Sequence, residues 1–217
     1  MSRLLCLPVL LLLAACGETT GGSTPPAVTP LPSIAASPSP SSSPGADACN
    51  NAFKTQMEKQ TAPPAMQIDT SKTYTATIKT ARGSITIHLD PKAAPQTVNN
   101  FVYLARNGFY NCLTFHRVIQ GFVVQGGDPL GNGTGGPGYT LPNETNSAQW
   151  VRGSLGMASG QGQNGTNGSQ FFILTGDTPS LSQSGVYNHF GMVTAGMDVA
   201  DKTQQYDEIQ EIDIAES

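Results

Sequence analysis

The sequence predicts a mainly β domain, built as a barrel or a sandwich and accompanied by two α-helices. Apolar and polar residues alternate over residues 74–89, and a helical apolar pattern follows Pro95. Short apolar runs bounded by Gly, Asn or Pro fill most of the remaining chain. Alternation is typical of strands with one buried face, and many short strands with glycine-rich loops are typical of barrels and sandwiches.

The first predicted element is a β-hairpin with its turn at Ala81-Arg82-Gly83. Polar residues, among them His88, occupy the alternate positions and are expected on the solvent face. The inward positions are predicted to be Tyr74, Ala76, Ile78, Ile85, Ile87 and Leu89.

An amphipathic helix is predicted to begin at Pro95. Val98, Phe101, Val102 and Ala105 follow the i, i+3, i+4, i+7 spacing, and Asn107-Gly108 forms the stop signal. Proline at the start and glycine after the end are the ordinary helix boundaries.

The later elements are shorter. Strands are predicted within residues 113–124, 154–158, 170–174 and 189–193, and a second helix is predicted after Gly196, from Met197 to Lys202. Ile209, Ile212 and Ile214 suit a closing strand.

Residues 1–15 are predicted to be a cleaved leader. Arg3 gives a positive start, residues 4–13 are apolar, and Leu13-Ala14-Ala15 precedes Cys16. The apolar stretch is shorter than the roughly 20 residues of a membrane-spanning helix. The pattern resembles a bacterial lipobox, which implies cleavage before Cys16 and a lipid on its sulfur. The alternative is an ordinary secretory signal. Both predict an extracytoplasmic protein, and the lipobox predicts a periplasmic or cell-surface lipoprotein held to a membrane.

Residues 16–46 are expected to be a lipid-anchored, disordered tether, because this proline- and serine-rich stretch has too little apolar surface to offset its ordering entropy. Residues 47–72 are predicted to be an extension packed on the domain, and residues 73–217 the folded domain itself.

Two cysteines, Cys49 and Cys112, remain in the exported part. An oxidising compartment favours a disulfide between them, and two free buried thiols are the alternative. The chain carries a net charge of −4, and no basic run occurs in the folded part. Nucleic acid is therefore not an expected partner.

Residues 115–128 hold the strongest functional signal, because Arg117 and Gln125 lie there among apolar residues. In a continuous strand, Arg117 and Phe122 would lie on opposite faces. Gly121 is the residue at which a bend could bring them together, and such irregularities commonly lie beside active sites. A structural strand with an incidental arginine is the alternative.

Several blocks together resemble the cyclophilins, which are peptidyl-prolyl cis/trans isomerases. The resemblance covers residues 74–214 and rests on Phe115-His116-Arg117, Gly121-Phe122, Gln125-Gly126-Gly127-Asp128, Asn132-Gly133-Thr134-Gly135-Gly136 and Asn167-Gly168-Ser169-Gln170-Phe171-Phe172-Ile173. It implies an eight-stranded antiparallel β-barrel flanked by two α-helices. It also implies a monomer without a cofactor that acts on proline-containing polypeptides and assists protein folding.

The resemblance also implies the site. Arg117, Phe122 and Gln125 would be the catalytic residues. The substrate-binding residues would be His116, Val123, Ala158, Ser159, Gln170, Phe172, Leu181 and Tyr187, with the backbone of Ala158 and Ser159 pairing with the substrate chain. The sequence departs from the family's frequent residues at Gln120, Val123, Ser159, Tyr187 and Ser180, the last of which stands where many members carry tryptophan.

Other functions have weaker support. The sequence has no Gly-x-Ser-x-Gly elbow for a hydrolase, and its histidines and cysteines lack the spacing of a metal site. The main alternative is a non-catalytic peptide-binding or chaperone module on the same fold, against which the presence of Arg117 argues.

Overall fold

The computed structural model of the protein describes residues 62–159 and 165–217. The helices in this part are α1 (Pro95–Arg106), a 3-10 helix (Pro179–Gln183) and α2 (Met197–Lys202). The strands are β1 (Tyr74–Thr80), β2 (Gly83–Leu89), β3 (Leu113–Thr114), β4 (Arg117–Ile119), β5 (Val123–Gly126), β6 (Ser154–Met157), β7 (Phe171–Leu174), β8 (Asn188–Ala195), β9 (Glu208–Ile209) and β10 (Glu211–Glu216).

One antiparallel sheet of eight strands organises the domain. Its strand order is β10-β1-β2-β8-β6-β7-β5-β4, and β3 pairs separately with β9. The edge strands of this sheet are β4 and β10. Because β3 precedes β4 and β9 precedes β10, the β3–β9 pair joins the two chain segments that lead into these edges. The strands thus form a curled, barrel-type sheet rather than two facing layers, which confirms the predicted fold.

The hairpin and the first helix supply much of the core. All of the predicted inward residues of β1 and β2 are fully buried, and His88 is exposed. Phe101 on α1 contacts the rings of Tyr110, Phe171 and Phe190 at centroid distances of 5.1, 5.6 and 5.3 Å. Burying each such side chain contributes about 1.5–3 kcal/mol, so these contacts fix α1 against the sheet.

The cap of α1 comes from a distant loop. Ala94 at the N-cap makes no side-chain hydrogen bond, and the helix begins with Pro95. The Glu144 carboxylate instead accepts hydrogen bonds from Gln96 N at 2.8 Å, Thr97 N at 2.8 Å and Thr97 Oγ1 at 2.7 Å. A carboxylate at a helix N-terminus satisfies its unpaired N–H groups and complements the helix dipole.

Part of the N-terminal extension contacts α1. Asn99 is 2 % exposed, and its Oδ1 accepts hydrogen bonds from Gln67 N at 2.7 Å and Ile68 N at 3.3 Å. Its Nδ2 donates to the carbonyl of Ala65 at 3.0 Å. The predicted leader, Cys16 and tether lie outside the described residues. Within residues 62–159 and 165–217, no helix is long and apolar enough to cross a bilayer.

Candidate active site

A tight hairpin between β4 and β5 creates the centre of the site. Arg117 pairs with Gln125 across the hairpin, so both side chains leave the same face. Gly121 adopts a φ of 71° in the turn, and Phe122 N donates to Ile119 O at 3.0 Å. The turn brings Phe122 back toward Arg117, whose Cζ lies 5.5 Å from the ring centroid. The bend predicted at Gly121 therefore joins the two residues that a continuous strand would separate.

An open cleft of about 90 Å³ lies beside this hairpin. Its apolar walls come from five parts of the chain: the β4–β5 turn with β5, the residues after β6, β7, the 3-10 helix and the segment before β8. The lining residues are Arg117, Phe122, Val123, Gln125, Ala158, Ser159, Phe172, Leu174, Leu181 and Tyr187. The combination of one cationic donor, one amide and several apolar side chains suits a small apolar group attached to a peptide.

A chain of hydrogen bonds fixes the polar side of the cleft. Gly135 O accepts from Gln170 Nε2 at 2.8 Å, and Gln170 Oε1 accepts from Gln125 Nε2 at 3.0 Å. Gln125 Oε1 in turn faces Arg117 Nη1 at 3.4 Å. Each bond sets the orientation of the next amide, so the Gln125 carbonyl oxygen points toward the guanidinium.

Asp128 anchors the glycine-rich loop that supplies Gly135. This carboxylate is 1 % exposed and accepts hydrogen bonds from Leu130 N at 2.8 Å, Asn132 N at 2.9 Å and Gly133 N. A Cβ on Gly135 would lie 2.1 Å from Asp128 Oδ1, so any other residue would displace the loop. The loop therefore fixes the Gly135 carbonyl, at which the chain of hydrogen bonds through Gln170 and Gln125 begins.

His116 is not among the residues that line the cleft. The side chain is buried, and neither ring nitrogen has a hydrogen-bond partner within the described part of the chain. Burial lowers the pKa of His116, the nearby charge of Asp128 opposes this shift, and Arg117 adds to it. The imidazole is therefore neutral near pH 7 and packs as a supporting side chain.

All of the predicted catalytic and substrate-binding residues except His116 and Gln170 line the cleft. Gln170 acts on the cleft through Gln125. The backbone of Ala158 is partly engaged, because its N–H donates to Gln170 O at 2.8 Å and its carbonyl accepts from Asn167 N at 2.8 Å. A substrate chain could therefore use only the remaining lone pair of that carbonyl. Ser159 Oγ donates to Gly165 O at 3.1 Å.

Two residues of the site were missing from the sequence prediction. Leu174 lines the cleft, and Trp150 packs behind it with Val123, Ala158 and Phe172 in a small second core. Leu174 is the last apolar residue of the strand predicted within residues 170–174, so this pattern could have identified it as an inward-facing residue. Trp150 precedes β6 and had no local pattern to mark it.

The remaining predicted residues concern cross-linking and metals. Cys112 is disulfide-bonded, while its predicted partner Cys49 lies outside the described residues, so the pairing stays a prediction. Among the residues that the structure describes, no group of three or more His, Cys, Asp or Glu side chains could hold a metal ion.

The fold and the cleft together define a class of protein: a β-barrel-type peptide-binding domain with a cation at an apolar pocket. A family model described as cyclophilin type peptidyl-prolyl cis-trans isomerase/CLD matches residues 75–216. A peptidyl-prolyl cis-trans isomerase of Helicobacter pylori is 49% identical over 146 residues, which cover 65% of this chain and 87% of that protein. Peptidyl-prolyl cis-trans isomerase B of Bacillus subtilis is 49% identical over 130 residues, covering 59% of this chain and 88% of that protein.

A solved structure gives the same result. The crystal structure of a Cryptosporidium parvum cyclophilin type peptidyl-prolyl cis-trans isomerase, in the presence of the dipeptide Ala-Pro, matches with a TM-score of 0.56 and 34% identity. The match covers 64% of this chain and 96% of that one. The chain therefore belongs to the cyclophilin type peptidyl-prolyl cis-trans isomerase family and is an enzyme of that kind, as the sequence predicted.

Proposed function

We propose that the protein accelerates rotation about X-Pro bonds in polypeptides outside the cytoplasm and that Arg117 supplies the decisive interaction. The observation that carries this proposal is the position of the Arg117 guanidinium beside Phe122, at the edge of an apolar cleft. Phe122 and Gln125 are assigned the other catalytic roles.

The reaction needs no bond to be broken. Amide resonance sets a rotation barrier near 20 kcal/mol, and the uncatalysed change takes tens to hundreds of seconds. In the twisted state the prolyl nitrogen becomes pyramidal and regains its lone pair. An enzyme therefore accelerates the rotation by binding the twisted state more tightly than either planar state.

Arg117 suits this task because a guanidinium stays protonated and offers five N–H donors. Within the described part of the chain no carboxylate pairs with Arg117, and its hydrogen bond to Gln125 is long at 3.4 Å. Donors therefore remain for the prolyl nitrogen. One such charged hydrogen bond contributes roughly 3–4 kcal/mol of differential stabilisation, which corresponds to a rate factor of about 10² to 10³.

The apolar walls would hold the pyrrolidine ring and exclude water. Phe122, Phe172 and Leu181 provide the largest of these surfaces. The amide nitrogen of Gln125 has two hydrogens, and one donates to Gln170. The second can bind the substrate carbonyl that turns with the bond. Gln170 would thus act by orienting Gln125.

A protease-coupled assay with a prolyl peptide tests these assignments on the purified protein. We expect the cis-to-trans rate to rise in proportion to the enzyme concentration. A module that only binds or chaperones peptides would retain the peptide without changing this rate, and that result would overturn the proposal.

We further propose that the protein is a monomeric, membrane-anchored lipoprotein that acts in the periplasm or at the cell surface. The Leu13-Ala14-Ala15-Cys16 sequence and the proline-rich stretch that follows it support an anchor on a long tether. Intact mass of the membrane-extracted protein tests this, because lipidation at Cys16 adds an acyl mass. A Cys16→Ser variant should lose that mass and leave the membrane fraction. An unmodified, freely soluble wild-type protein would contradict the anchor.

A further inference from the structure

Trp150 is the single tryptophan of the chain, is 4 % exposed and lies immediately behind the cleft. Its indole stacks on the Phe172 ring, with centroids 5.5 Å apart and planes inclined by 23°. It also meets the Tyr187 ring edge-on at 6.3 Å. Phe172 and Tyr187 both line the cleft and contact each other at 5.6 Å, so the three rings form one mutually supporting group.

The backbone of Trp150 reaches a third wall. Its carbonyl accepts a hydrogen bond from Thr178 N at 3.0 Å. Thr178 is the N-cap of the 3-10 helix that carries Leu181, and Leu181 N donates to Thr178 O at 3.1 Å. A single residue that does not itself line the cleft therefore contacts or positions Phe172, Tyr187 and Leu181.

The ring pair has no freedom to settle closer to the sheet. Gly156 on β6 lies opposite Phe172 on β7 in the strand register. A Cβ on Gly156 would lie 2.4 Å from Phe172 Cζ and 2.7 Å from both Trp150 Cη2 and Trp150 Cζ3. The rings of Trp150 and Phe172 thus rest directly on the backbone of Gly156. A larger residue at position 156 must displace both rings, and a smaller residue at position 150 must leave Phe172 without its stacked partner.

We propose that Trp150 is a positioning residue that sets the shape of the apolar cleft, and with it the affinity for prolyl peptides. It does so by holding Phe172 and Tyr187 through its indole, while its backbone carbonyl, which any residue at this position would supply, binds the start of the Leu181 helix. The catalytic residues Arg117 and Gln125 lie on the β4–β5 hairpin, and neither side chain belongs to the ring group of Trp150, Phe172 and Tyr187. Loss of the indole therefore changes substrate binding and leaves the twisting step largely intact. This inference rests on the proposed use of the cleft for prolyl peptides.

The central experiment compares Trp150→Leu and Trp150→Phe in the peptide isomerisation assay. Trp150→Leu removes the stacked ring, so KM should rise about fivefold to tenfold while kcat changes by less than about twofold. Trp150→Phe keeps a stacked ring and should recover most of the affinity. An unchanged KM in Trp150→Leu would overturn the proposal.

A matched control separates positioning from general stability. Phe190 is fully buried in the main core, where it packs on Phe101 at 5.3 Å, and it does not line the cleft. Phe190→Leu should lower the melting temperature about as much as Trp150→Leu and keep the wild-type KM. Equal rises of KM in both variants would mean that the effect of Trp150 is merely structural.

Two further measurements keep the proposal testable if Trp150→Leu does not fold. Gly156→Ala retains Trp150 but displaces the ring pair, so its KM should also rise with little change in kcat. In the wild type, titration with a prolyl peptide should change the fluorescence of the lone indole, because the peptide contacts the ring stacked on it. A wild-type KM in Gly156→Ala together with no fluorescence change would overturn the inference.

The same series distinguishes this inference from the proposed function. If the wild-type protein does not isomerise the peptide, or if Arg117→Ala is fully active, the proposed function fails. If the wild type is active and depends on Arg117, but the variants at positions 150 and 156 bind peptide normally, only the role of Trp150 fails.

Discussion

Arg117 and Phe122 meet across the β4–β5 turn, with the guanidinium carbon 5.5 Å from the ring centroid. A cation at this distance is attracted to the ring, which helps to hold the side chain at the cleft. The proposed donor for a prolyl nitrogen and the proposed apolar wall for the prolyl ring therefore belong to one short hairpin. Under the proposed mechanism, a substrate that packs on Phe122 would lie beside Arg117.

Removing the cation should abolish most of the catalysis. We expect Arg117→Ala to lower kcat/KM by about 10² to 10³, since the charged hydrogen bond to the twisted state is lost. The melting temperature should stay near that of the wild type. Arg106→Ala is the control. Arg106 lies on α1 and forms an ion pair with Glu216 on β10 at 2.7 Å, and neither residue lines the cleft. Near-normal activity of Arg117→Ala would refute the assigned mechanism.

Truncation of the apolar wall should act mainly on binding. Phe122→Ala removes a ring from the cleft, so KM for a prolyl peptide should rise about tenfold with a smaller change in kcat. Tyr206→Ala removes a ring that is 65% exposed and should leave KM unaltered. Isothermal titration with the peptide checks the affinity directly, and tight binding by Phe122→Ala would argue against this wall.

The cap of α1 should be important for stability. Glu144→Ala leaves Gln96 N, Thr97 N and Thr97 Oγ1 without their acceptor, so the free energy of unfolding should fall by about 1–2 kcal/mol. Urea unfolding followed by circular dichroism measures this loss. Glu208→Ala, an exposed glutamate on β9, should change it much less. Equal effects of the two substitutions would show that Glu144 is not a cap.

Two buried histidines should make stability depend on pH. Burial lowers the pKa of His116 and of His189, against the opposing charges of Asp128 and Asp90 respectively. As the pH is lowered, these histidines therefore take up protons at a higher pH in the unfolded chain than in the folded protein. The contribution of the two neutral histidines to the free energy of unfolding is fully present above the ordinary histidine pKa of about 6.5. It decreases as the pH falls below this value, toward the lowered pKa of the folded state.

Urea unfolding at several pH values between about 7.5 and 5 measures this slope. The double variant His116→Gln/His189→Gln should show a flatter dependence than the wild type. His88→Gln, at an exposed position on β2, should keep the wild-type slope. A wild-type slope in the double variant would contradict the assignment to these two side chains.

Local patterns in the sequence were sufficient for several elements. The alternation over residues 74–89 gave the first hairpin with its inward side chains, and the spacing after Pro95 gave α1 with its end before Gly108. The run over residues 113–124 was less clear, because the chain divides there into three short strands. Periodicity needs several residues to be visible, and β3 and β4 are too short to display it.

The long-range contacts could not be predicted from sequence patterns. Glu144 caps a helix that begins 49 residues earlier, at Pro95, and Gln170 orients Gln125 across paired strands. No local spacing marks such partners, because each contact depends on how the strands are ordered in the sheet. The resemblance to a known family identified Gln170, whereas it did not identify Trp150.

By itself, the sequence determined the periodic elements and the family whose members catalyse prolyl-bond rotation. Local backbone preferences and side-chain chemistry are sufficient for these features. Only the tertiary structure decided that Arg117 meets Phe122, that the amide chain orients Gln125 and that Trp150 lies behind Phe172. Those relationships depend on strand order, on the turn at Gly121 and on close packing over Gly156, which only the folded chain establishes.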